Sequence, residues 1–444
     1  MTDDKTFRPS TLHRLWRLFP PRQRRRLLSE ATALLAPRID RAPPPARVGV
    51  VVAGELSRAS GLGENARLML VGLQHLGVPH WPIDVAPLLP GASADLPVAA
   101  AGQPPPGAPL VLHVNPPLLP LVLLRLRGGL ARGRRVIGYW SWELPTAPPD
   151  WRVGARFVHE VWVLSPFVAD ALEPLLPGKL RVVPPPMAIA PPRPSALDRA
   201  AFGLPADAVV VLVSFNLASS LERKNPLAAI AAFRAAFGDR TDRLLLLKIG
   251  NRSHFPDDFA RIATAAQAPN IRLETRTLPT ADLHALMAAC DIVLSLHRSE
   301  GFGLVPAEAM LLGKPVIATG WSGNMAFMDA DSAALVGYRL VPAEDPRHVY
   351  EGASWAEPDH AEAVAHLRRL ADDAAARAEL GARGREAALA RLGAGPLAAA
   401  LQDLGLSPRT AALHNLGLSP GTAALQDLGL SPGTAPPAPS GRPE

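Results

Sequence analysis

IVLSLHRSEGFGLVPAEAM, residues 292–310, reads as a strand, a glycine turn and a helix in immediate succession. The apolar run 292–296 fits a buried strand, Gly301 and Gly303 interrupt it, and LVPAEAM resumes as a helix. A chain that leaves a strand through such a turn and re-enters as a helix aims backbone N–H groups at one point, which suits an anion. Phosphate is the expected guest. Glu300 stands at the mouth of the turn and Glu308 lies inside the first turns of the helix. The two carboxylates can therefore accept hydrogen bonds from two separate groups of hydroxyls with a diphosphate between them, which predicts a nucleotide-sugar. The plainer alternative makes Glu308 a complement to the helix N-terminus and Glu300 a solvated turn residue.

Working outward, apolar runs alternate with helical patterns on both sides of this stretch. Runs at 48–53, 110–114, 136–140, 161–164 and 181–183 come before the proline-rich segment 184–194, and runs at 209–215, 244–249, 271–273, 292–296 and 316–318 follow it. This alternation is the mark of βαβ units around parallel sheets. The expected fold is α/β, with two Rossmann-like doubly wound domains facing a cleft. The division is a basic extension over 1–46, a first domain over 47–190, a linker at 191–204, a second domain with terminal helices over 205–400, and a tail over 401–444. That tail repeats LQDLGLSPRTAA, LHNLGLSPGTAA and LQDLGLSPGT from Leu401, Leu413 and Leu425. Units this short, each with Gly and Pro, do not build a solenoid core, so the tail is expected to be mobile and dispensable. The rival reading is a docking module anchored by Leu404, Leu416 and Leu428.

The chain has 444 residues, 48% of them apolar, and a formal charge of +6. No apolar run reaches the ~18 residues of a bilayer-spanning helix. A single cysteine, Cys290, makes no internal disulfide, and the N-terminus lacks the pattern of an export signal, so the expected location is the cytoplasm. Residues 1–46 carry ten Lys/Arg against four Asp/Glu, and the remainder carries 36 of each, so all the excess charge is at the front. There Leu12, Leu15, Trp16 and Phe19, then Leu27, Leu28, Ala31, Leu34 and Leu35, fall at helical spacing beside arginines. This reads either as peripheral contact with an anionic inner-membrane face through residues 10–35 or as helices docked on the protein's own body. The neutral body argues against a nucleic-acid partner.

Arg223-Lys224, in SSLERKNP after the first strand of the second domain, can neutralise a diphosphate as its bond to the sugar breaks. The alternative is a solvated basic turn. Asn324 lies in the loop WSGNMAFM, while Lys248 ends LLLLKI and His297 precedes Glu300, both near the expected pocket. In the first domain, Gly61, Gly63 and Ala66 fit G-x-G-x-x-A with Asp84 downstream, the fingerprint of an NAD(P)-dependent oxidoreductase. The insertion GELSRAS between strand and glycine turn weakens that rival, and Glu300 with Glu308 has no role in it. His113 and Asn115 end a strand toward the cleft, although a histidine on an apolar strand is more often a core residue. Tyr139, Trp140, Trp142 and Glu143 form an aromatic patch with one carboxylate, suited to stacking on an acceptor sugar or to core packing, and Glu143 is an acceptor-side candidate. No His/Cys cluster has ligand spacing, and Asp329-Ala330-Asp331 is remote from a strand end that binds nucleotide.

With these motifs the chain resembles the retaining GT-B glycosyltransferases grouped as family 4 (glycosyl transferases group 1), whose hallmark is Glu-x7-Glu. The resemblance continues through GKPVIATGWSGNMAFMD (313–329), FNLASSLERKNPLAAIAAF (215–233), IGYWSWELP (137–145) and FVHEVWVLSPFVADALEPLLP (157–177), and covers roughly residues 47–392. It implies that Glu300 holds the donor sugar and Glu308 the ribose hydroxyls. The backbone of Phe302, Gly303 and Leu304 would face sugar and phosphate, and Asn324 would sit in a turn beside the donor. It places the Gly61 loop near the donor phosphates or the acceptor. It further implies a metal-independent hexosyltransferase without cofactor. Such an enzyme moves a sugar from a nucleotide-diphosphate-sugar to a glycan or lipid-linked acceptor, in cell-surface polysaccharide or lipopolysaccharide assembly. Configuration would be retained by attack on the face the diphosphate leaves. The chain departs from the family at Ala218 or Ser219, where an arginine is common, and at Ala326, where an acid is common. These departures keep open a catalytically silent sugar-binding or scaffold homologue.

Overall fold

The structure is a computed structural model describing residues 21–89, 96–98, 102–126 and 129–406. Leu12, Leu15, Trp16, Phe19 and the repeats beyond residue 406 lie outside the described residues. The first sheet contains β1 (Val50–Gly54), β2 (His80–Asp84), β3 (Leu110–His113), β4 (Val136–Trp140), β5 (Glu160–Val163) and β6 (Leu180–Val182) in the order β2-β1-β3-β4-β5-β6. The second contains β7 (Val209–Asn216), β8 (Arg243–Gly250), β9 (Ile271–Glu274), β10 (Ile292–Ser295), β11 (Val316–Thr319) and β12 (Ala334–Val336) in the order β12-β11-β10-β7-β8-β9. All pairings within both sheets are parallel. This is the two-domain GT-B arrangement.

The central strands are apolar at every position because helices cover both faces of a parallel sheet. In β1, Val50 and Val52 enter one core while Val51 and Ala53 enter the other. The ten expected runs all form strands, with ends displaced by one or two residues. Two strands had no such signal. β2, HWPID, is half-buried along its length and tolerates Pro82 because it is an edge strand, and β12 is a three-residue edge. An antiparallel hairpin, β13 (Tyr338–Pro342) with β14 (Ser354–Pro358), was also not expected.

One segment ties the halves together, and another packs on the first domain alone. The Gly395–Asp403 helix crosses back to the first domain, where a Cβ on Gly72 would lie 2.8 Å from Leu397 Cδ2 and Arg181 meets Asp403 at 2.5 Å. Residues 401–406 are not part of a mobile tail as the repeat pattern suggested. Leu401, Leu404 and Leu406 are buried, because they continue the apolar face of that helix, and each adds about 1.5–3 kcal/mol of burial. At the other end, the Pro21–Leu35 helix rests on the Leu119–Arg125 helix and the Pro149–Phe157 segment, with Ser29, Thr32 and Ala36 buried.

Candidate active site

In the second sheet the strand order reverses between β7 and β10, and open α/β sheets bind ligands outside the carboxyl ends of strands at such a point. Lys224 follows β7 and Glu300 follows β10, so the topology brings them together from 76 residues apart. Lys224 Nζ donates to Glu300 Oε1, and Arg223 Nη1 lies 3.2 Å from Glu300 Oε2. Burial alone would raise the Glu300 carboxyl, but Lys224, Arg223 and His297 outweigh it and hold it down at about 2. Glu300 is therefore a fixed anion.

The loop that carries Glu300 is set by the packing of its backbone. The Glu300 N–H donates to Ser322 Oγ at 2.9 Å and the Gly323 N–H to the Glu300 carbonyl at 2.8 Å. A Cβ on Gly323 would lie 2.1 Å from the Gly301 carbonyl oxygen, so this approach admits only glycine. Gly303 takes φ 100°, a left-handed conformation that favours glycine, and caps the Leu304–Leu311 helix. That helix has no side-chain cap and no acid in its first turn, so its leading N–H groups have no intrahelical acceptor. The Phe302 side chain is buried against Phe327 at 4.9 Å between ring centroids, and its backbone N packs against Gly323, where a Cβ would lie 2.7 Å from it.

Across the cleft stands the N-terminus of the Gly61–His75 helix. A Cβ on Gly61 would come 3.8 Å from Leu304 Cδ1. Gly63 has a different reason to be glycine, since a Cβ there would collide with the Glu55 and Arg58 carbonyls at 2.5 and 2.6 Å. Glu308 is half-buried, and its carboxyl is pushed up to about 8, chiefly by burial and then by the nearby charge of Glu64. Asp84 accepts from the Ser57 and Ala86 N–H groups at 3.3 and 3.1 Å. It is thus a backbone brace, and the dinucleotide fingerprint loses its ribose ligand.

Several other candidates hold the site instead of lining it. Arg223 is 3% exposed, with Nε donating to Tyr350 Oη at 3.1 Å and Nη1 to the Ser299 carbonyl at 2.7 Å, so it braces the Glu300 loop from behind. His297 is buried between Ser295 Oγ at 2.9 Å and Asn324 Oδ1 at 3.1 Å, and the Asn324 amide donates to the Thr319 carbonyl at 3.0 Å. Lys248 sits on β8, two places from β10 in the sheet, beside Glu274 across the β8–β9 pairing.

In the first domain, His113 does not face the cleft. It is fully buried, stacked on Tyr139 at 4.3 Å with Nε2 3.3 Å from Met69 Sδ, and burial lowers it to about 3. Apolar neighbours on both sides hold it neutral in the core. Asn115 Oδ1 accepts from the Ser141 N–H at 3.0 Å and so steers the chain into Trp142 and Glu143. Tyr139 and Trp140 are core residues, and Cys290 is buried with its thiol pushed up to about 12. Glu143 lies in the field of Arg223, Glu300 and Lys224, its carboxyl raised by burial.

The two domains meet around the Glu300 loop through Trp142 and Glu143 and through Ser165, Ser299 and Tyr350, which the sequence did not single out. Ser165 Oγ donates to the Gly301 carbonyl at 2.7 Å, and Ser299 Oγ donates to the Glu143 carbonyl. Trp142 approaches Tyr350 at 5.8 Å between centroids, and a Cβ on Gly301 would lie 2.5 Å from the Trp142 carbonyl oxygen. Ser165 was legible only as the cap of its own helix, and Tyr350 had no local signal.

Residues 209–356 match the family model described as glycosyl transferases group 1, which spans the second sheet and the whole Glu300 loop. A D-inositol 3-phosphate glycosyltransferase of Kineococcus radiotolerans is 30% identical over 223 residues, 48% of this chain and 48% of that protein. A trehalose synthase of Rubrobacter xylanophilus is 24% identical over 60% of this chain and 62% of its own. The match to the first of these relatives thus spans about half of its length. Among solved structures, HepE of Anabaena in complex with UDP and glucose superposes with TM-score 0.55 at 16% identity, over 80% of this chain and 98% of that one, which shows a common fold. The stretch that builds the site matches the group 1 glycosyltransferase model, and the frame that carries it has the GT-B fold.

Proposed function

We propose that this protein is a configuration-retaining hexosyltransferase of family 4 that moves a sugar from a nucleotide-diphosphate-sugar to a hydroxyl of a glycan or lipid-linked acceptor. The observation that carries the reading is the juxtaposition of Glu300, Lys224 and the uncapped Leu304–Leu311 helix at one switch point, with the Gly61 helix end opposite. An anionic diphosphate seated there meets backbone N–H groups and the Lys224 ammonium, which stabilise the leaving nucleoside diphosphate. Lys224 and the helix terminus supply that positive charge without a divalent ion, so chelation with EDTA is expected to leave turnover unchanged. Glu300 accepts from donor-sugar hydroxyls and Glu308 from ribose hydroxyls. The acceptor hydroxyl attacks the face the diphosphate leaves, and the departing phosphate takes its proton. The relative named above as a glycosyltransferase, and the HepE complex with UDP and glucose, support a nucleotide-sugar donor. A role in cell-surface polysaccharide or lipopolysaccharide assembly completes the proposal.

The test is release of nucleoside diphosphate from a panel of nucleotide-sugars, with anomeric analysis of the product. Turnover that Glu300→Gln abolishes, with retained configuration, is the expected result. Inversion would refute the mechanism, and donor binding without turnover that depends on Glu300 would mark a silent sugar-binding homologue.

A further inference from the structure

The Pro21–Leu35 helix is docked the wrong way round for a helix of a water-soluble body. Ser29, Thr32 and Ala36 face the protein and are 2%, 8% and 6% exposed, whereas Leu27, Leu34 and Leu35 face outward at 43%, 86% and 72%. With the exposed Ala31 these positions fall at i, i+4, i+7 and i+8, a single stripe along one side. Leu124, on the neighbouring Leu119–Arg125 helix, is a further exposed leucine at 42%. Burial on folding does not account for leucines outside and hydroxyls inside. A second apolar phase does.

We propose that this stripe is a docking face for an anionic lipid bilayer. Charge selects the occupant: the excess of Lys/Arg over Asp/Glu in the whole chain lies in residues 1–46, and Arg38 and Arg41 are exposed just beyond the stripe, while the exposed Arg26 beside it pairs with Glu30 at 2.8 Å. An amphipathic helix with leucines on one side and arginines at its flanks lies in the headgroup plane, apolar side down, with each nearby arginine attracted to anionic lipid. The docking also has a consequence for the interior. Arg26 lies within the field of Asp150, and Asp150 with Pro149 and Trp151 lines a hollow of about 200 Å³ whose far wall includes Tyr350, the partner of Arg223. The lipid surface is thus brought beside a hollow between the domains that reaches toward the Glu300 loop. The docking itself does not depend on the transfer reaction.

The experiment is co-sedimentation of the full chain with phosphatidylcholine vesicles, with and without phosphatidylglycerol. Anionic vesicles are expected to raise the bound fraction by about tenfold or more, and raised salt to reverse the gain. The variant Leu27→Glu/Leu34→Glu/Leu35→Glu changes side chains already in water. It is expected to keep the melting temperature and the release of nucleoside diphosphate in solution while losing vesicle binding. Equal binding to neutral vesicles would overturn the proposal, as would unchanged binding by the triple variant. So would a wild-type dimer that the triple variant dissolves, with no vesicle binding by either form, since the stripe would then be an interface between copies of the chain.

Discussion

Two helix N-termini face each other across the cleft, and the chain finishes them differently. The Gly61–His75 helix is capped by Ser60, whose Oγ accepts from the Gly63 N–H at 3.1 Å, and carries Glu64 in its first turn, held by Arg67. The Leu304–Leu311 helix has no side-chain cap and no acid in its first turn, and it starts at Gly303. Both have the same dipole, so the dipole alone does not make a site. The proposed site lies at the terminus without a side-chain cap, which follows the loop whose Glu300 pairs with Lys224.

That contrast can be broken in graded ways. Lys224→Ala removes the cation beside the open terminus and is expected to lower turnover by about 100- to 1000-fold, read as nucleoside diphosphate release at saturating donor. Gly323→Ala forces a methyl into the Gly301 carbonyl and displaces the Glu300 loop, with a loss of about 1–3 kcal/mol in denaturant titration and weakened donor binding. Ser60→Ala and Val305→Glu then exchange the characters of the two termini. The first is expected to lose about 1 kcal/mol of stability with donor affinity unchanged. The second places an acid where the proposed diphosphate would sit, so calorimetry should show weaker donor binding, together with some loss of melting temperature because Val305 packs partly against the core.

A separate effect is a pH dependence at Glu308. Its carboxyl is raised from 4.5 to about 8 in the folded chain, so folding favours its protonated form. The corresponding stability is full below pH 4.5 and disappears as pH rises through about 8. Glu308→Gln is expected to flatten that decline in melting temperature, leaving the acid end unchanged. A decline as steep in the variant as in the wild type would mean that another group titrates.

The central strands were legible because each is a continuous apolar run, as burial of both faces requires. The edges were not: β2 is half-buried and contains proline, and β12 is too short to show a pattern. Glu300, Glu308 and Lys224 were legible because their spacing around strand ends is local. Arg223 and Asn324 were read as donor contacts because sequence gives a residue's chemistry without its partners. In the structure those groups are occupied by Tyr350, Ser299, His297 and Thr319. His113 was read toward the cleft because a strand end has two sides and the sequence does not say which one Tyr139 and Met69 cover.

By itself the sequence determined two runs of βα units, a glycine turn bracketed by two acids, and the concentration of positive charge at the front. All of these follow from interactions between near neighbours in the chain, where periodicity and turn chemistry decide. Only the tertiary structure decided which side chains are already occupied and how the domains meet beside the Glu300 loop, through contacts such as Ser165 with Gly301, 136 residues apart, and Ser299 with Glu143, 156 apart. A hydrogen bond across such a separation leaves no periodic trace. It exists only once both sheets have set the ends of their strands against each other.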